Sequence, residues 1–128
     1  MALRIAIIED ETSIAQMYEF KFKQAGYDVQ YATTGDDAVK LIAEMRPNLI
    51  LLDLMLPGMT GEQILQKVRA EDWGKDIKVI VLTNTSAEAA PDELNTLGIS
   101  RYVIKAQNTP AQLLQTVEEV LNSGESYD

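Results

Sequence analysis

The chain contains no cysteine and no histidine among its 128 residues. Without cysteine it has no disulfide framework, no thiolate nucleophile and no zinc-thiolate site. Without histidine it has no imidazole base, no Ser-His-Asp triad and no phosphohistidine of its own. Any chemistry must therefore use carboxylates, hydroxyls, lysines and, if a metal takes part, a hard metal ion.

Basic residues are also scarce, since 11 lysines and arginines face 20 acidic residues and give a net charge of −9. This charge repels phosphate backbones, so we expect no direct nucleic-acid partner. No apolar run is long enough to span a bilayer, and "MALRIAII" is cut off by "EDE" without the features of a signal peptide. We therefore expect no membrane association and a cytoplasmic location.

The length and the apolar patterns predict one α/β domain over residues 1–122, followed by a short tail over residues 123–128. Three nearly uninterrupted apolar runs predict strands that are covered on both faces. They are Leu3–Ile8, Leu49–Asp53 and Lys78–Thr83. Two shorter or alternating runs, Tyr27–Thr33 and Arg101–Lys105, predict strands at the edges of the sheet.

Helical patterns lie between and after these strands. The predicted apolar stripes are Ile14, Met17, Tyr18 and Phe22 before Gly26; Ala38, Leu41, Ile42 and Met45 before Pro47; Ile64, Leu65 and Val68 after Gly61; and Leu113, Leu114, Val117, Val120 and Leu121 at the end. Thr109, Pro110 and Gln112 predict the start of the last helix by an N-cap, a first-turn proline and a capping box. The fourth segment, between Thr83 and Arg101, is the least regular because Pro91 interrupts it. Five such alternations predict right-handed crossovers and a doubly wound parallel sheet.

Polar residues stand where four of the predicted strands end. Glu9 and Asp10 follow the first strand, Asp53 ends the third, Thr83 ends the fourth and Lys105 ends the fifth. Each residue alone has an ordinary interpretation, such as a solvated turn or a surface lysine. Together they lie at the carboxyl edge of one sheet, which is where open α/β folds bind ligands.

The chemistry of this set predicts a phosphate-accepting site. Carboxylates about 4 Å apart repel each other by roughly 4 kcal/mol at an effective dielectric constant of ~20, so Glu9, Asp10 and Asp53 favour a bound cation. Oxygen ligands without histidine or cysteine favour Mg²⁺. Lys105 and Thr83 then supply a positive charge and a hydrogen-bond donor to a phosphoryl group. Asp53 is therefore predicted to be the nucleophile.

In their order and spacing, these residues resemble the receiver domain of bacterial two-component response regulators, the family of the chemotaxis regulator. The resemblance covers essentially the whole chain. It implies a flavodoxin-like (βα)5 fold with strand order 2-1-3-4-5. It also implies that Asp53 is the phosphoacceptor, Thr83 the family's hydroxyl, Lys105 its lysine and Tyr102 its switch aromatic residue.

The resemblance further implies a cofactor and partners. Mg²⁺ would be held by Asp10, Asp53 and the backbone carbonyl of Met55, with Glu9 acting through water. The phosphoryl donor would be a phosphohistidine on a sensor histidine kinase or phosphotransfer protein. A downstream protein would bind the surface of the fourth helix, fifth strand and fifth helix, and the domain would catalyse only its own phosphorylation and dephosphorylation. The simpler interpretation of Tyr102 is an edge-strand aromatic residue that covers the last helix.

One position departs from the family, which usually has proline after its lysine, often through a cis bond. Here Ala106 follows Lys105. A cis bond before alanine costs roughly 2.5 to 4 kcal/mol. We therefore expect a trans bond with a rearranged loop, or else a strained cis bond.

Three alternative functions are compatible with parts of this pattern. A flavodoxin-like cofactor carrier needs a first loop that cradles phosphate, and "EDET" repels it. A haloacid-dehalogenase-type phosphatase also uses an aspartyl nucleophile with Mg²⁺, but it needs a second aspartate two residues later, where this chain has Met55. A pseudo-receiver that binds partners without phosphorylation stays open, although all five site residues are retained.

Overall fold

The computed structural model describes residues 2–54, 56–83 and 96–122. Its centre is one sheet of five parallel strands in the order β2-β1-β3-β4-β5. The strands are β1 (Arg4–Ile8), β2 (Asp28–Ala32), β3 (Leu49–Asp53), β4 (Lys78–Thr83) and β5 (Arg101–Ile104). The predicted strand order and the predicted edge positions of β2 and β5 are confirmed. The limits of β3 and β4 agree with the prediction, and the other three strands are shorter than predicted by one residue at one or both ends.

Four α-helices cover this sheet in the part of the chain that the structure describes. They are α1 (Thr12–Gln24), α2 (Gly35–Met45), α3 (Gly61–Arg69) and α4 (Pro110–Asn122). Short 3-10 turns occupy Asp72–Gly74 and Lys105–Gln107. The predicted helical segment around Pro91 lies outside the described residues. None of the described helices has the length and hydrophobicity needed to cross a bilayer.

Local hydrogen bonds explain where the helices begin and end. At the start of α4, the Gln112 backbone N–H donates to Thr109 Oγ1 at 3.1 Å, and the Thr109 N–H donates to Gln112 Oε1 at 2.8 Å. This is the predicted capping box. Thr60 and Gln63 form a second, unpredicted capping box before α3. Helix α1 ends ahead of Gly26, whose φ of 99° is readily adopted only by glycine, and this supports the predicted stop.

The sheet separates two apolar layers. One contains Ala6 and Ile8 of β1 and lies beneath α2 and α3, and the other contains Ile5 and Ile7 and lies beneath α1 and α4. Successive strand residues point to opposite faces, so burial on both faces requires the uninterrupted apolar runs seen in the sequence. Met17 is the exception to the predicted stripes, because it is 45% exposed. It lies about 100° around α1 from Tyr18, outside the face that meets the sheet.

Arg69 ties the end of α3 to the segments that lead into β4 and β5. Its Nε donates to the Leu97 carbonyl at 2.7 Å, and its Nη2 donates to the Gly98 carbonyl at 2.9 Å. Its Nη1 donates to the carbonyls of Gly74 at 2.7 Å and Lys75 at 3.2 Å. These contacts fix the starts of the two strands whose ends carry predicted site residues.

Candidate functional site

The strand register brings the predicted site residues to one edge of the sheet. In the β1–β3 pairing Ile8 lies opposite Leu52, so the residues that follow them, Glu9 and Asp53, are neighbours. In the β4–β5 pairing Thr83 lies opposite Ile104, the residue before Lys105. The structure therefore places residues that are far apart in the chain at one edge of the sheet.

Three of these polar side chains are removed from solvent. Glu9 is 0% exposed, Asp53 is 4% exposed and Thr83 is 6% exposed. They are the buried polar or charged residues of the part of the chain that the structure describes. Asp10 is exposed beside them. Buried charges are costly unless they are paired, so this cluster needs a compensating group.

Lys105 is that compensating group. Its Nζ donates to Glu9 Oε1 at 2.6 Å and to Asp53 Oδ2 at 2.9 Å. The Lys105–Ala106 bond is trans, since the described residues contain no cis peptide bond. The loop forms a 3-10 turn from Lys105 to Gln107. Of the two geometries expected for this bond, the trans one is correct, and it leaves the ammonium directed at the carboxylates.

The mutual contacts shift the pKa values of three groups. Burial, together with hydrogen bonds to Asp53 and Asp10, raises the pKa of Glu9 to about 7, and the opposing effect of Lys105 is smaller. The hydrogen bond with Glu9 is the main cause of the lowered pKa of Asp10. Burial acts against the charged form of Lys105, but hydrogen bonds to Glu9 and Asp53 outweigh it and raise the lysine pKa. Glu9 therefore exchanges its proton near neutral pH.

The three carboxylates also have the spacing of a metal site. Glu9, Asp10 and Asp53 each offer one oxygen atom, and these atoms lie within 4.8 Å of one another. Oxygen ligands around octahedral Mg²⁺ are separated by about 2.9 Å or about 4.2 Å, given metal–oxygen distances of 2.0–2.1 Å. Small side-chain movements would satisfy that geometry, so the acidic cluster fits a hard cation. Met55, the remaining predicted ligand, lies outside the described residues.

Gly61 is a site residue that the sequence analysis treated only as a helix start. A Cβ atom at this position would lie 2.8 Å from the Asp53 carbonyl oxygen and 3.0 Å from the Leu54 Cα. The first residue of α3 therefore packs directly against the backbone that carries Asp53. The available signal was a glycine immediately after the N-cap residue Thr60, but sequence alone does not show which backbone lies against it.

Tyr102 and Thr83 lie on the same face of the sheet. Tyr102 pairs with Val81 on β4 and packs, partly buried, against the apolar layer beneath α2 and α3. Thr83 lies two residues beyond Val81, and therefore on the same face of β4. The interpretation that Tyr102 covers the last helix is wrong, because the neighbouring Val103 faces that side.

A family comparison agrees with this arrangement of fold and site. The sequence profile described as "Response regulator receiver domain" matches residues 5–118. The chain belongs to this family. Receiver domains are signalling modules of two-component systems rather than ordinary enzymes, so membership favours neither the phosphatase nor the cofactor-carrier alternative.

Solved structures show the same similarity. The chemotaxis response regulator CheY4 of Vibrio cholerae is 27% identical, with a TM-score of 0.86 over 94% of this chain and 99% of that one. The receiver domain of a putative Luxo repressor protein from Vibrio parahaemolyticus is 31% identical, with a TM-score of 0.84 over 96% and 92% of the two chains.

A third similar structure is the receiver domain of sensor histidine kinase PA1611 from Pseudomonas aeruginosa PAO1, described with a magnesium ion coordinated in its active site cleft. It is 23% identical, with a TM-score of 0.82 over 94% of this chain and 98% of that chain. At this identity the match supports the receiver fold alone.

Proposed function

We propose that this receiver domain accepts a phosphoryl group on Asp53 from a phosphohistidine of a sensor histidine kinase or phosphotransfer protein. The observation that carries the proposal is the buried Asp53 carboxylate, 2.9 Å from Lys105 Nζ and clustered with Glu9 and Asp10. A buried carboxylate held by a lysine at the carboxyl edge of a parallel sheet is positioned as a nucleophile. Phosphorylation of the domain then changes a surface that binds a downstream protein.

The transfer step follows from these positions. A carboxylate oxygen of Asp53 attacks phosphorus and forms an acyl phosphate, while the bond from phosphorus to the donor's imidazole nitrogen breaks. The electron pair of the broken bond stays on that nitrogen. Lys105 turns from its carboxylate partners toward the phosphoryl oxygens and stabilises their charge, and the Thr83 hydroxyl donates a hydrogen bond to one of them.

Mg²⁺ is the proposed cofactor because three carboxylate oxygens converge in one site and the chain contains no histidine or cysteine. Asp10, Asp53 and the Met55 carbonyl would hold the ion, with Glu9 acting through water. When bound, Mg²⁺ would neutralise negative charge on the phosphoryl oxygens. The magnesium ion described in the active site cleft of the PA1611 receiver domain supports this proposal.

The proposed switch uses Thr83 and Tyr102. Phosphorylation draws Thr83 toward the phosphoryl group, and the space it leaves allows Tyr102 to turn inward. Their position on one face of β4 and β5 supports this coupling. The surface formed by β5, α4 and the segment between Thr83 and Arg101 then changes its affinity for a downstream protein, by an amount on the order of 1 to 3 kcal/mol.

Intact mass measured after incubation with acetyl phosphate and Mg²⁺ tests the proposed function. The wild-type protein should gain one phosphoryl group, and Asp53→Asn should gain none. Asp72→Asn is a matched control, because this exposed aspartate lies far from the carboxyl edge of the sheet. Equal phosphorylation of wild type and Asp53→Asn would contradict the assignment. A folded wild-type protein that binds Mg²⁺ but gains no mass would indicate a pseudo-receiver instead.

A further inference from the structure

A second concave surface lies at the opposite edge of the sheet from Asp53. It is a cavity of about 460 Å³ between the C-terminal parts of α2 and α3. We call it the Trp73 groove; its lining residues are Val39, Ala43, Arg46, Lys67, Val68, Ala70, Glu71 and Trp73. Its volume lies within the range of roughly 300 to 1,000 Å³ that is typical of ligand-binding clefts.

Trp73 also lines a neighbouring cavity of about 320 Å³. Leu3, Pro47 and Leu121 contribute apolar surface there, and Leu3 is 37% exposed. The half-buried indole thus forms part of the wall of both cavities.

The charges around the groove differ from those of the whole chain. Its cations are Arg46 and Lys67, and its one acidic residue is Glu71. The neighbouring cavity adds one residue of each sign, Asp76 and Lys78, whereas the complete sequence carries a net charge of −9. Neither Arg46 nor Lys67 forms a salt bridge with a residue that the structure describes. The groove is therefore a locally cationic region of an acidic protein.

Arg46 has an unusual conformation that places it beside the indole. Its φ is +46°, the left-handed conformation in which α2 ends, and the usual residue there is glycine or asparagine. Its guanidinium carbon lies 5.2 Å from the centroid of the Trp73 ring, which is a cation–π contact. A carboxylate that approached Arg46 could form two parallel hydrogen bonds with the guanidinium and draw it off the ring. The face of the indole would then be open to an apolar side chain.

We propose that the Trp73 groove binds an acidic amphipathic helix of a partner protein. The apolar side chains of that helix pack against Trp73 and Val68, and its carboxylates pair with Arg46 and Lys67. Glu71 repels a carboxylate placed near it and so sets the direction of the helix along the groove. Because the groove lies at the edge opposite Asp53, this binding does not require phosphorylation.

Trp73 is the only tryptophan of the chain, so its fluorescence reports on the groove directly. The probe is a synthetic, end-blocked peptide of about 14 residues, with leucine on one helical face and glutamate elsewhere. It should produce a saturable change in the Trp73 emission. The same peptide with lysine in place of glutamate should produce none. Added salt should weaken binding of the acidic peptide, because the pairing is partly electrostatic.

Substitutions locate the binding and provide its controls. Arg46→Gln should weaken binding of the acidic peptide about tenfold, because a charge-assisted hydrogen-bond pair is lost. Arg46→Lys should fall between Arg46→Gln and wild type. Lys40 is an exposed cation of α2 that lines neither cavity. Lys40→Gln should therefore leave the affinity unchanged. Thermal unfolding of each variant verifies that it is folded.

Four outcomes would overturn the proposal. The first two concern the peptides: the acidic peptide gives no saturable response, or the lysine peptide binds equally well. The third is that Lys40→Gln and Arg46→Gln lose the same amount of affinity. The fourth is that the protein self-associates in the absence of peptide and that Arg46→Gln abolishes this self-association. The last outcome would assign the groove to a second copy of the chain. None of these measurements depends on phosphorylation. A result that rejects the groove proposal therefore leaves the proposed phosphorylation of Asp53 unaffected.

Discussion

Lys105 Nζ lies 2.6 Å from Glu9 Oε1, which joins two residues 96 positions apart in the chain. The same ammonium contacts Asp53 Oδ2 at 2.9 Å. Three clustered carboxylates are thus partly neutralised by one internal cation.

Replacing Lys105 with methionine should destabilise the metal-free protein by about 1 to 3 kcal/mol, because it leaves buried acidic groups without their cation. Protonation of Glu9 limits the loss, since its pKa is already about 7. The same variant should bind Mg²⁺ more tightly, because the carboxylates no longer share an ammonium. Urea unfolding in the presence of a chelator and calorimetric Mg²⁺ titration measure the two effects. Lys75→Met is the control, since its partner Asp72 is fully solvated; equal effects in both variants would contradict the prediction.

Asp10→Asn should weaken Mg²⁺ binding more than Glu9→Gln does. The proposed reason is that Asp10 contacts the ion directly, whereas Glu9 acts through water and is paired with Lys105. Isothermal titration of each variant with Mg²⁺ checks the order. If both variants bind Mg²⁺ as tightly as wild type, the metal lies elsewhere.

The metal-free protein should lose stability as the pH rises from about 4.5 through 7. The folded-state pKa of Glu9 is about 7 and its ordinary value is 4.5, so the folded state binds more protons between these values. Protonated Glu9 contributes its full stabilisation below its unfolded-state pKa, and this contribution is lost as the pH rises through its folded-state pKa. The Glu9 contribution is on the order of 1 to 3 kcal/mol.

Urea unfolding at about pH 5 and about pH 8, with a chelator present, measures this dependence. Glu9→Gln should remove most of the difference between the two pH values, because glutamine does not titrate. Saturating Mg²⁺ should also reduce it, since the ion favours the ionised carboxylate. A variant whose pH dependence equals that of wild type would show that other groups cause it.

Gly61→Ala should destabilise the domain by about 1 to 3 kcal/mol and slow phosphorylation of Asp53. Its methyl group would lie 2.8 Å from the Asp53 carbonyl oxygen, so the backbone that carries the nucleophile must shift. Glu62→Ala changes the next residue of α3 without a group at that contact and serves as the control. Initial rates of acetyl phosphate incorporation, measured beside urea unfolding, separate the two effects. An unchanged rate in a folded Gly61→Ala protein would contradict a positioning role for this glycine.

Beryllofluoride, a phosphoryl mimic, should shift amide resonances across residues 87–105 as well as around Asp53. Thr83→Ala should retain the shifts near Asp53 and lose those near Tyr102, because this variant lacks the hydroxyl that is proposed to link the two positions. Two-dimensional NMR spectra with and without the mimic give the comparison. Shifts confined to the loops around Asp53 in wild type would mean that the proposed switch does not operate.

The parts of the fold that sequence predicted well are those set by local patterns. The limits of β3 and β4 were predicted because burial on both faces makes each strand a continuous apolar run ending in a polar residue. The start of α4 was predicted because the side chains of Thr109 and Gln112 each accept a hydrogen bond from the other residue's backbone N–H across one helical turn. The site residues were predicted to meet because the carboxyl ends of parallel strands share one edge.

The features that sequence did not predict depend on tertiary packing. Met17 has the spacing of a core residue, but the exact rotation of α1 leaves it in solvent. The contact of Gly61 with the Asp53 backbone depends on the path of the intervening loop. The Trp73 groove forms where the ends of α2 and α3 approach each other, and no short pattern marks that approach. Assigning Tyr102 to one face of the sheet required knowledge of the strand register, which the sequence does not supply.

The long separation between Glu9 and Lys105 has a consequence for synthesis of the protein. A growing chain emerges from the ribosome with its N-terminus first, so Glu9 and Asp10 after β1 and Asp53 of β3 appear well before β5. Until β5 joins the edge of the sheet, the carboxylates lack the ammonium that compensates them. An incomplete chain therefore lacks the cation that compensates the acidic cluster. Under the proposed function, a chain without β5 would also lack the lysine that assists phosphoryl transfer, so a partly made protein would not be expected to accept the phosphoryl group efficiently.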